Sequence, residues 1–520
     1  MSVASRAVLF VLDGLRPDLI TSEHTPHLMR LVEAGTRFER GHAVLPTVTR
    51  VNSASLATGL LPAGHGLPAN LLFAPKLGAD LVSLGEGDSV PELMRAYGVF
   101  AAPTLLEILA EAGGSTALAS TGTRGSALMQ DPRRAARTRP NAATPGHLTL
   151  HPTLSTADTL DTAAEHVGPL PEAAVPDSGR NRWLARAAAE WIVPKLRPDI
   201  LSVWFDDPDK SQHRFGFGHP ESLRAIREVD GHVGRILDAI DAAGLRDETI
   251  VAVASDHGYV GVSRHVDLAG LLGSAGHDRT ANGSPVVVAP NGCAALIYAP
   301  SGTDAELGRI AEVLRASPEV GVVFSGKGAF TGSGAVAGGG ALPGAGAVAG
   351  SGARPVIDGT FPLGAIRMSG PLAPDLLVTL GWSDAPNEYG HGGTGVEHRS
   401  ANRASHGGAS PWEIRNTMLL AGPGIRRGVR SELPSGNVDL APTLLTLLGL
   451  PVPPDLDGRV LHEAFVGTSA PASASGADGS SVARTTDRIA HTHGHAELHW
   501  SEYAGSRYLD FAKRVAGHRE

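Results

Sequence analysis

The sequence predicts an α/β fold in which helices cover a mostly parallel central sheet. Residues 223–240 carry apolar side chains at three- and four-residue spacing, which is the pattern of one buried helix face. The run ILSVWF precedes this segment and TIVAVAS follows it, and both are typical of strands. Gly244 stands where the helix is expected to end. Strand, helix and strand at this spacing indicate a βαβ unit, from which parallel sheets are built. The apolar positions of the helix are Leu223, Ile226, Val229, Val233, Ile236, Leu237 and Ile240.

Acidic and imidazole side chains follow three of the predicted strands at the point where each strand ends. The first run, AVLFVLDG, ends at Asp13, ILSVWF leads to Asp209 and His213, and TIVAVAS leads to Asp256 and His257. In an open parallel sheet, ligands and catalytic groups collect at the carboxyl ends of the strands. Oxygen and imidazole ligands without thiolates suit zinc or manganese. We therefore expect these side chains to form a metal site.

Residues 45–70, LPTVTRVNSASLATGLLPAGHGLPAN, contain a candidate nucleophile. A Pro-Thr turn precedes a stretch of small residues that can start a helix. A threonine hydroxyl at a helix N-terminus faces unpaired N–H groups and the positive end of the helix dipole, which stabilise an alkoxide and attract phosphate. Metal coordination can activate such a hydroxyl further. On this segment alone, the alternative that Thr47 and Thr49 only cap the helix stays open.

The C-terminal part of the chain contains a second strand and helix pattern. NTMLLAGPGI is expected to be a strand and turn, and VDLAPTLLTLLGL a helix. Asn437 or Asp439 is expected to begin this helix and Gly449 to end it. We interpret this pair as a second βαβ unit.

Three segments do not resemble a folded core. Residues 325–353 are rich in Gly, Ala and Ser and are expected to be a flexible insertion. Residues 466–484 are expected to be a linker, and residues 485–520 a polar, histidine-rich tail. We expect the tail's histidines to be solvated and not part of the site. They are His491, His493, His495 and His499.

The composition narrows the classes of protein and partner. A chain of 520 residues can form one large α/β domain with insertions, or two domains. The net charge is −9 and no cluster of Lys or Arg stands out, which argues against a nucleic-acid-binding surface. The single cysteine, Cys293, excludes an intramolecular disulfide framework. The apolar run 7–12 is too short for a signal peptide and no run suits a membrane helix, so we expect no membrane association and a cytoplasmic location.

The motifs together resemble the type I phosphodiesterase/nucleotide pyrophosphatase family of the alkaline phosphatase superfamily. VLDGLRPD is similar to the first metal-binding strand of that family, DDPDKSQHRFG to its Pro-Asp-x-x-x-His element, and SDHG to its Asp-His-Gly element. SHGGASPWEIRNTMLLAGPGI resembles the last histidine motif and VDLAPTLLTLLGLPVPPDLDG the closing helix. The matches occur in the expected order from residue 7 to about residue 462. The residues that match the nucleophile motif are Pro46, Thr49, Asn52, Thr58, Gly59, Pro62, His65, Gly66 and Asn70.

The resemblance implies a fold, a site and a reaction. The fold would be a three-layer α/β/α catalytic domain over residues 1–465. Two divalent metal ions, zinc or manganese, would act on a small phosphate-containing substrate, and Thr49 would form a phospho-threonine intermediate. Asn70 would donate a hydrogen bond to a phosphoryl oxygen. The implied ligands are Asp209, His213 and His406 for one ion, and Asp13, Asp256, His257 and Thr49 for the other.

Two positions leave alternatives open. His391 and His406 both begin a His-Gly-Gly sequence, and we favour His406 as the ligand because it stands 12 residues before Met418 of a predicted strand. Arg50 follows the nucleophile where nucleotide-cleaving members commonly have an aromatic residue. Arginine can hold a phosphoryl group in a bidentate contact, which would favour a monoester, or it can point away into a salt bridge. Phosphodiesterase activity is the main prediction. A phosphomonoesterase, a phosphonate hydrolase and a catalytically silent binding protein are the alternatives.

Overall fold

The computed structural model describes residues 4–85, 88–132, 146–326, 356–468 and 481–517. Residues 327–355, which cover most of the expected insertion, lie outside the described residues, as do residues 469–480 of the expected linker.

A nine-stranded sheet forms the centre of the part of the chain that the structure describes. The strand Arg6–Leu12 lies between Ile200–Phe205 and Thr249–Ala254 and is parallel to both. The parallel arrangement continues through Thr116–Ser120 to His147–Leu150. The predicted mostly parallel central sheet is therefore confirmed. Its strands in chain order are Arg6–Leu12, Gly35–His42, Thr116–Ser120, His147–Leu150, Ile200–Phe205, Thr249–Ala254, Arg415–Asn416, Met418–Ala421 and Val429–Gly436.

Helices cover both faces of this sheet. Along the first strand, Val8 and Phe10 pack into a core shared with helices Pro26–Ala34 and Pro220–Ala242, while Leu9 belongs to a second core on the opposite face. That second core contains side chains of helices Thr49–Thr58, Leu105–Glu111 and Leu440–Leu447. Successive side chains of a strand point to opposite faces, so an entirely apolar strand supplies both cores. The expected three-layer α/β/α architecture is confirmed.

The helix predicted from the spacing of apolar residues is present as Pro220–Ala242. Its predicted apolar face is buried except for Leu223, which is partly buried against the same core. Gly244 follows the helix with a φ of 70°, and its N–H bonds to Asp241 O, as expected of a residue that ends a helix.

The predicted second βαβ unit is wrong, although its strand and its helix both exist. The strand Met418–Ala421 runs antiparallel to Gly35–His42 and to Thr249–Ala254. Another strand, Val429–Gly436, separates it in the chain from the helix Leu440–Leu447. An apolar run predicts that a strand is buried, but its direction depends on tertiary neighbours that the run does not encode.

The described residues also form smaller sheets that are separate from the central one. A five-stranded sheet consists of Val287–Asn291, Ala294–Tyr298, Val320–Ser325, Phe361–Pro362 and Leu376–Leu380. A four-stranded sheet consists of Val260–Val266, Trp382–Pro386, Gly392–His398 and Ala404–Ser405. Leu71–Ala74 and Ala79–Ser83 pair as a two-stranded sheet.

The described α-helices are mostly short. They are Pro26–Ala34, Thr49–Thr58, Pro62–His65, Val90–Tyr97, Leu105–Glu111, Arg124–Gln130, Ala157–Val167, Ser178–Ala187, Asp209–Phe215, Pro220–Ala242, Leu268–Ser274, Asp304–Ala316, Pro411–Ile414 and Leu440–Leu447. The short 3₁₀ helices are Pro17–Leu19, Pro75–Leu77, Arg246–Glu248, Leu363–Ile366, Asn437–Asp439 and His462–Ala464, and Ala188–Leu196 is a π-helix.

Within the described ranges, no helix is both long and apolar enough to span a bilayer.

The segment expected to be a polar tail, residues 485–520, is largely folded. Ala483–His491, Gly494–Tyr503 and Ser506–Ala516 form a three-stranded antiparallel sheet. On the middle strand, Ala496, Leu498 and Trp500 are buried in a core shared with the five-stranded sheet. Polar residues alternate with these apolar ones, so the stretch has the period of a half-buried strand, and the high polar content hid that period.

The opposite face of this sheet holds two of the four histidines. His495 Nε2 lies 3.1 Å and His499 Nε2 3.0 Å from the carboxylate oxygens of Glu497. His493 Nε2 lies 3.0 Å from Glu312 Oε1. These histidines are therefore engaged with carboxylates and are not simply solvated.

We predict that Trp500→Ala destabilises the folded protein by about 3–5 kcal/mol, the usual effect of truncating a buried aromatic side chain. Trp500 is 4% exposed and its indole N–H donates to Asp487 Oδ2 at 3.0 Å. Urea unfolding followed by circular dichroism measures the change. The exposed Thr485→Ala on the neighbouring strand is the control, with an expected effect within about 0.5 kcal/mol. Equal midpoints for Trp500→Ala and the wild type would contradict a packed C-terminal sheet.

Candidate metal centre and nucleophile

Three aspartates converge at the carboxyl edge of the central sheet. Asp13 directly follows the strand Arg6–Leu12, Asp256 follows the neighbouring strand Thr249–Ala254, and Asp209 is the first residue of a helix after Ile200–Phe205. These three strands are adjacent and in parallel register. The three carboxylates are brought together because each lies at or just beyond the carboxyl end of a neighbouring strand of one parallel sheet.

Each aspartate has one oxygen held by a donor. The Trp204 indole N–H donates to Asp13 Oδ2 at 3.0 Å and the Gly14 N–H donates to Asp256 Oδ1 at 3.1 Å. The Tyr259 hydroxyl donates to Asp209 Oδ1 at 2.8 Å. These bonds fix the direction in which each carboxylate points.

Three histidines at the centre are held in the same way by backbone carbonyls. Nδ1 of His213 donates to Ala404 O at 2.9 Å and Nδ1 of His406 to Thr47 O at 2.7 Å. Nδ1 of His257 lies 3.0 Å from the carbonyl of the next residue, Gly258. A histidine that donates from Nδ1 to a carbonyl presents the lone pair of Nε2, which is the arrangement of metal-binding imidazoles.

The three Nε2 atoms face the three carboxylates. His213 Nε2 and His406 Nε2 each lie 3.4 Å from Asp209 Oδ1. His257 Nε2 lies 3.3 Å from Asp256 Oδ2 and 3.6 Å from Asp13 Oδ1. The ligands expected from the sequence therefore lie together in the structure.

Possible ligand atoms cluster in two overlapping groups in which all atoms lie within 4.8 Å of one another. One group is Asp13, Asp256 and His257, and the other is Asp209, His257 and His406. The first group agrees with the ligand set that the family resemblance implies. The second contains His257 where the resemblance places His213, so His257 lies within reach of both positions.

The chemistry of these atoms fits divalent cations. Asp13 and Asp256 are buried, and Asp13 Oδ1 and Asp256 Oδ2 have no hydrogen-bond partner among the described residues. Burial of a carboxylate oxygen without a partner is costly, and a cation bound by that oxygen removes the cost. Imidazole and carboxylate ligands suit zinc or manganese.

The pKa values of the three aspartates also depend on how much positive charge lies nearby. Burial, together with the negative charges of Asp256 and Asp209, raises the pKa of Asp13 well above its usual range. Burial also raises the pKa of Asp256. For Asp209, burial acts to raise the pKa, but the neighbouring imidazoles outweigh it and the pKa falls to about 2.

Thr49 is the first residue of the helix Thr49–Thr58, and its Oγ1 lies 3.4 Å from His257 Nε2. The side chain of Thr49 makes no capping bond, because Val48 occupies the N-cap position. Thr47 does not cap this helix either. Its hydroxyl donates to Gly408 O at 2.8 Å and accepts the Gly407 N–H at 3.0 Å. The helix-cap interpretation of both threonines is therefore not supported.

Asn70 and Arg50 stand beside the helix start at Thr49, the candidate nucleophile. The Arg50 backbone N–H donates to Asn70 Oδ1 at 2.9 Å. This bond fixes the amide oxygen of Asn70 toward Arg50, and the NH₂ group is the part of the side chain that can donate to a substrate. The positive charge of Arg50 opposes the rise in the pKa of Asp13 that burial causes.

Two other histidines lie away from the ligand groups. The ring of His391 contacts the ring of Phe217 edge-on, with 5.2 Å between centroids. His65 is buried and its Nε2 lies 3.2 Å from Ser55 Oγ. Burial lowers the pKa of His65 to about 3, so this side chain is neutral. The structure thus places His406, and not His391, beside Asp209.

Two residues, Tyr259 and Thr47, support the centre in roles that were not predicted from the sequence. Tyr259 is buried, donates to Asp209, and its ring lies 5.2–5.3 Å from the rings of His213 and His406. Its position directly after the Asp-His-Gly motif was the available signal. Thr47 holds the loop of His406, and no pattern in the sequence indicated this contact across 359 residues.

Comparison with known proteins identifies related chains. The family model described as type I phosphodiesterase / nucleotide pyrophosphatase matches residues 7–327. The human ectonucleotide pyrophosphatase/phosphodiesterase family member 1 is 23% identical over 258 residues, which are 48% of this chain and 23% of the relative. A mouse bis(5'-adenosyl)-triphosphatase, enpp4, is 24% identical over 266 residues, which are 51% of this chain and 49% of the relative.

The solved structure of murine ectonucleotide pyrophosphatase/phosphodiesterase 5, in an inactive form in complex with AMP, has the same fold. Its TM-score is 0.57 at 18% identity, and the match covers 86% of this chain and 96% of that one. The chain thus aligns with half or less of the length of these curated relatives, but with nearly all of the solved one. Since the family model covers more than half of the sequence, the resemblance seen in the motifs is confirmed, and the chain belongs to the type I phosphodiesterase/nucleotide pyrophosphatase family.

Proposed function

We propose that this protein is a metal-dependent phosphodiesterase or nucleotide pyrophosphatase that forms a phospho-threonine intermediate on Thr49. The observation that carries the proposal is the position of Thr49. Its hydroxyl stands at a helix N-terminus and 3.4 Å from the Nε2 of His257, which lies between the two ligand groups. A hydroxyl beside metal ligands and beside unpaired backbone N–H groups is placed for attack on a phosphoryl group.

Two divalent cations, zinc or manganese, are the proposed cofactors. Asp209, His213 and His406 would hold one, and Asp13, Asp256 and His257 the other, next to Thr49. When bound, such cations lower the pKa of a nearby hydroxyl and neutralise charge on the phosphoryl oxygens. The orphaned oxygens of Asp13 and Asp256 support this assignment.

Thr49 and Asn70 have separate roles in the proposed reaction. Thr49 Oγ1 attacks phosphorus in line, the bond to the leaving oxygen breaks, and water later displaces Thr49. The positive end of the helix dipole lies at Thr49 and favours the negative charge on the reacting oxygens, while the Arg50 N–H is already bonded to Asn70 Oδ1. The NH₂ group of Asn70 donates to a phosphoryl oxygen whose negative charge grows during attack, which is where a fixed donor contributes most.

The substrate is proposed to be a small molecule with a phosphodiester or phosphoanhydride bond. The names of the human and mouse relatives, a nucleotide pyrophosphatase/phosphodiesterase and a bis(5'-adenosyl)-triphosphatase, support this class. The test is hydrolysis of bis-p-nitrophenyl phosphate against p-nitrophenyl phosphate, with added Zn²⁺ or Mn²⁺ and with a chelator. We expect faster diester hydrolysis that the chelator abolishes. A preference for the monoester would favour a phosphomonoesterase, and activity without metal would contradict the proposed site.

We predict that Thr49→Ala lowers kcat for bis-p-nitrophenyl phosphate by several orders of magnitude, because the nucleophile carries much of the rate. Circular dichroism and metal content should stay close to those of the wild type. Thr49→Ser, which keeps a hydroxyl, is the matched control and should retain much of the activity. A Thr49→Ala enzyme that turns over at the wild-type rate would rule out the covalent mechanism.

We predict that Asp209→Asn and His406→Ala each lower the metal content from two ions per chain towards one, because both residues are assigned to the same ion. Elemental analysis of the dialysed protein measures this content. His391→Ala is the control and should leave the metal content unchanged, since His391 packs against Phe217. Loss of metal on His391→Ala, with none on His406→Ala, would reverse the choice between the two histidines.

We predict that Arg50→Ala reduces hydrolysis of p-nitrophenyl phosphate more than hydrolysis of the diester. A bidentate contact to a dianion contributes roughly 2–3 kcal/mol, which is about 30- to 150-fold in rate. A diester carries less negative charge, so its loss should be smaller. Arg50→Lys keeps the charge but not the bidentate geometry, and should recover only part of the monoester rate. Equal losses for both substrates would show that Arg50 is structural.

A further inference from the structure

We infer that Asn291 is a positioning residue for Asn70, an inference that rests on the proposed function of Asn70 as a donor to the phosphoryl group. Asn291 ends the strand Val287–Asn291 of the five-stranded sheet, at a tight turn to the strand Ala294–Tyr298. The turn lies 221 residues from Asn70 in the chain, but it contacts the Asn70 segment directly.

The side chain of Asn291 bonds to the backbone on both sides of the Asn70 to Leu71 peptide. Its Oδ1 accepts the N–H groups of Asn70 at 2.8 Å and Leu71 at 3.1 Å. Its Nδ2 donates to Leu71 O at 2.9 Å and to Ala289 O at 3.1 Å. Asn291 is only 4% exposed, so water cannot readily replace these bonds. One buried amide therefore fixes the backbone from which the Asn70 side chain projects.

The helix that begins at Thr49 fixes the side-chain amide of Asn70. The Arg50 N–H, one residue after Thr49, donates to Asn70 Oδ1 at 2.9 Å. With its backbone held by Asn291 and its amide oxygen held by the helix, Asn70 has one orientation left for its NH₂ group. The distance from this donor to the Thr49 hydroxyl is thus set by Asn291 and Arg50 together, and misplacement of a donor by about 1 Å can cost about 100-fold in rate.

The same turn also supports the segment of His406. The Cys293 N–H donates to His406 O at 2.8 Å. Gly292 has a φ of 64°, and a Cβ at this position would lie 2.0 Å from His406 O, so no larger residue fits without movement. Because the turn touches both a metal-ligand loop and the Asn70 segment, the test must separate these two routes.

The test is a double-mutant cycle on kcat/KM for bis-p-nitrophenyl phosphate, with the zinc-loaded full-length protein. Asn70→Ala is expected to lower the rate about 100- to 1,000-fold, as does loss of one oxyanion donor. Asn291→Ala should lower it about 10- to 100-fold, mainly in kcat. In the Asn70→Ala background, Asn291→Ala should cost less than about threefold, because a residue that acts through Asn70 has nothing left to position. The exposed Asn282→Ala, in a neighbouring loop of the same chain segment, is the control and should be neutral.

The possible results distinguish an error in the role of Asn291 from an error in the proposed role of Asn70. Losses that multiply in the double variant overturn the role of Asn291, while a harmless Asn70→Ala overturns the proposed role of Asn70 and the inference with it. Loss of a metal ion from Asn291→Ala would show an effect through His406 and would also overturn the inference. Should Asn291→Ala fail to fold, Asn291→Asp enters the same cycle. It keeps the oxygen that accepts from Asn70 and Leu71 but loses the donation to Leu71 O, so its smaller loss of rate should disappear in the Asn70→Ala background, and an equal loss in both backgrounds overturns the inference.

Discussion

Three aspartates lie together at the edge of the central sheet: Asp13 and Asp256 are buried, and Asp209 is partly buried. Negative charges this close repel one another, and burial removes the solvent that would screen them, which costs on the order of several kcal/mol per ion. The pKa values of Asp13 and Asp256 are raised because burial and the neighbouring negative charges disfavour the ionised form of each carboxyl group. Cations between the carboxylates would remove this repulsion, which is why the buried cluster fits divalent metal ions.

Backbone carbonyl groups around the carboxylates orient the three imidazole rings so that they can also bind a cation. His213, His257 and His406 each use Nδ1 on a backbone carbonyl, and this leaves Nε2 directed at the carboxylates. The carbonyl partner of His406 belongs to Thr47, two residues before Thr49, so the nucleophile segment and a ligand loop hold each other. The positions of His406 and Thr49 are therefore coupled through the backbone.

The sequence predicted the parts of this site that follow strand periodicity. Asp13 and Asp256 follow apolar runs, and parallel strands place those ends at one edge, so both could be found from periodicity. Asp209 stands four residues after the run ILSVWF, beyond Asp206 and Asp207, and was found by its match to the Pro-Asp-x-x-x-His element. Contacts made across long stretches of chain could not, as Thr47 and Asn291 illustrate. The C-terminal sheet was missed because Leu498 and Trp500 alternate with polar side chains in a segment dominated by histidine and charge. The cytoplasmic location and the identity of the metals stay predictions.

The location of the bound ions tests the metal assignment most directly. Crystals grown with zinc and measured at its absorption edge would show each ion by its anomalous scattering. We expect two peaks, one among Asp209, His213 and His406 and one among Asp13, Asp256 and His257 beside Thr49. A single peak held by Asp209, His257 and His406, or no peak at these side chains, would contradict it.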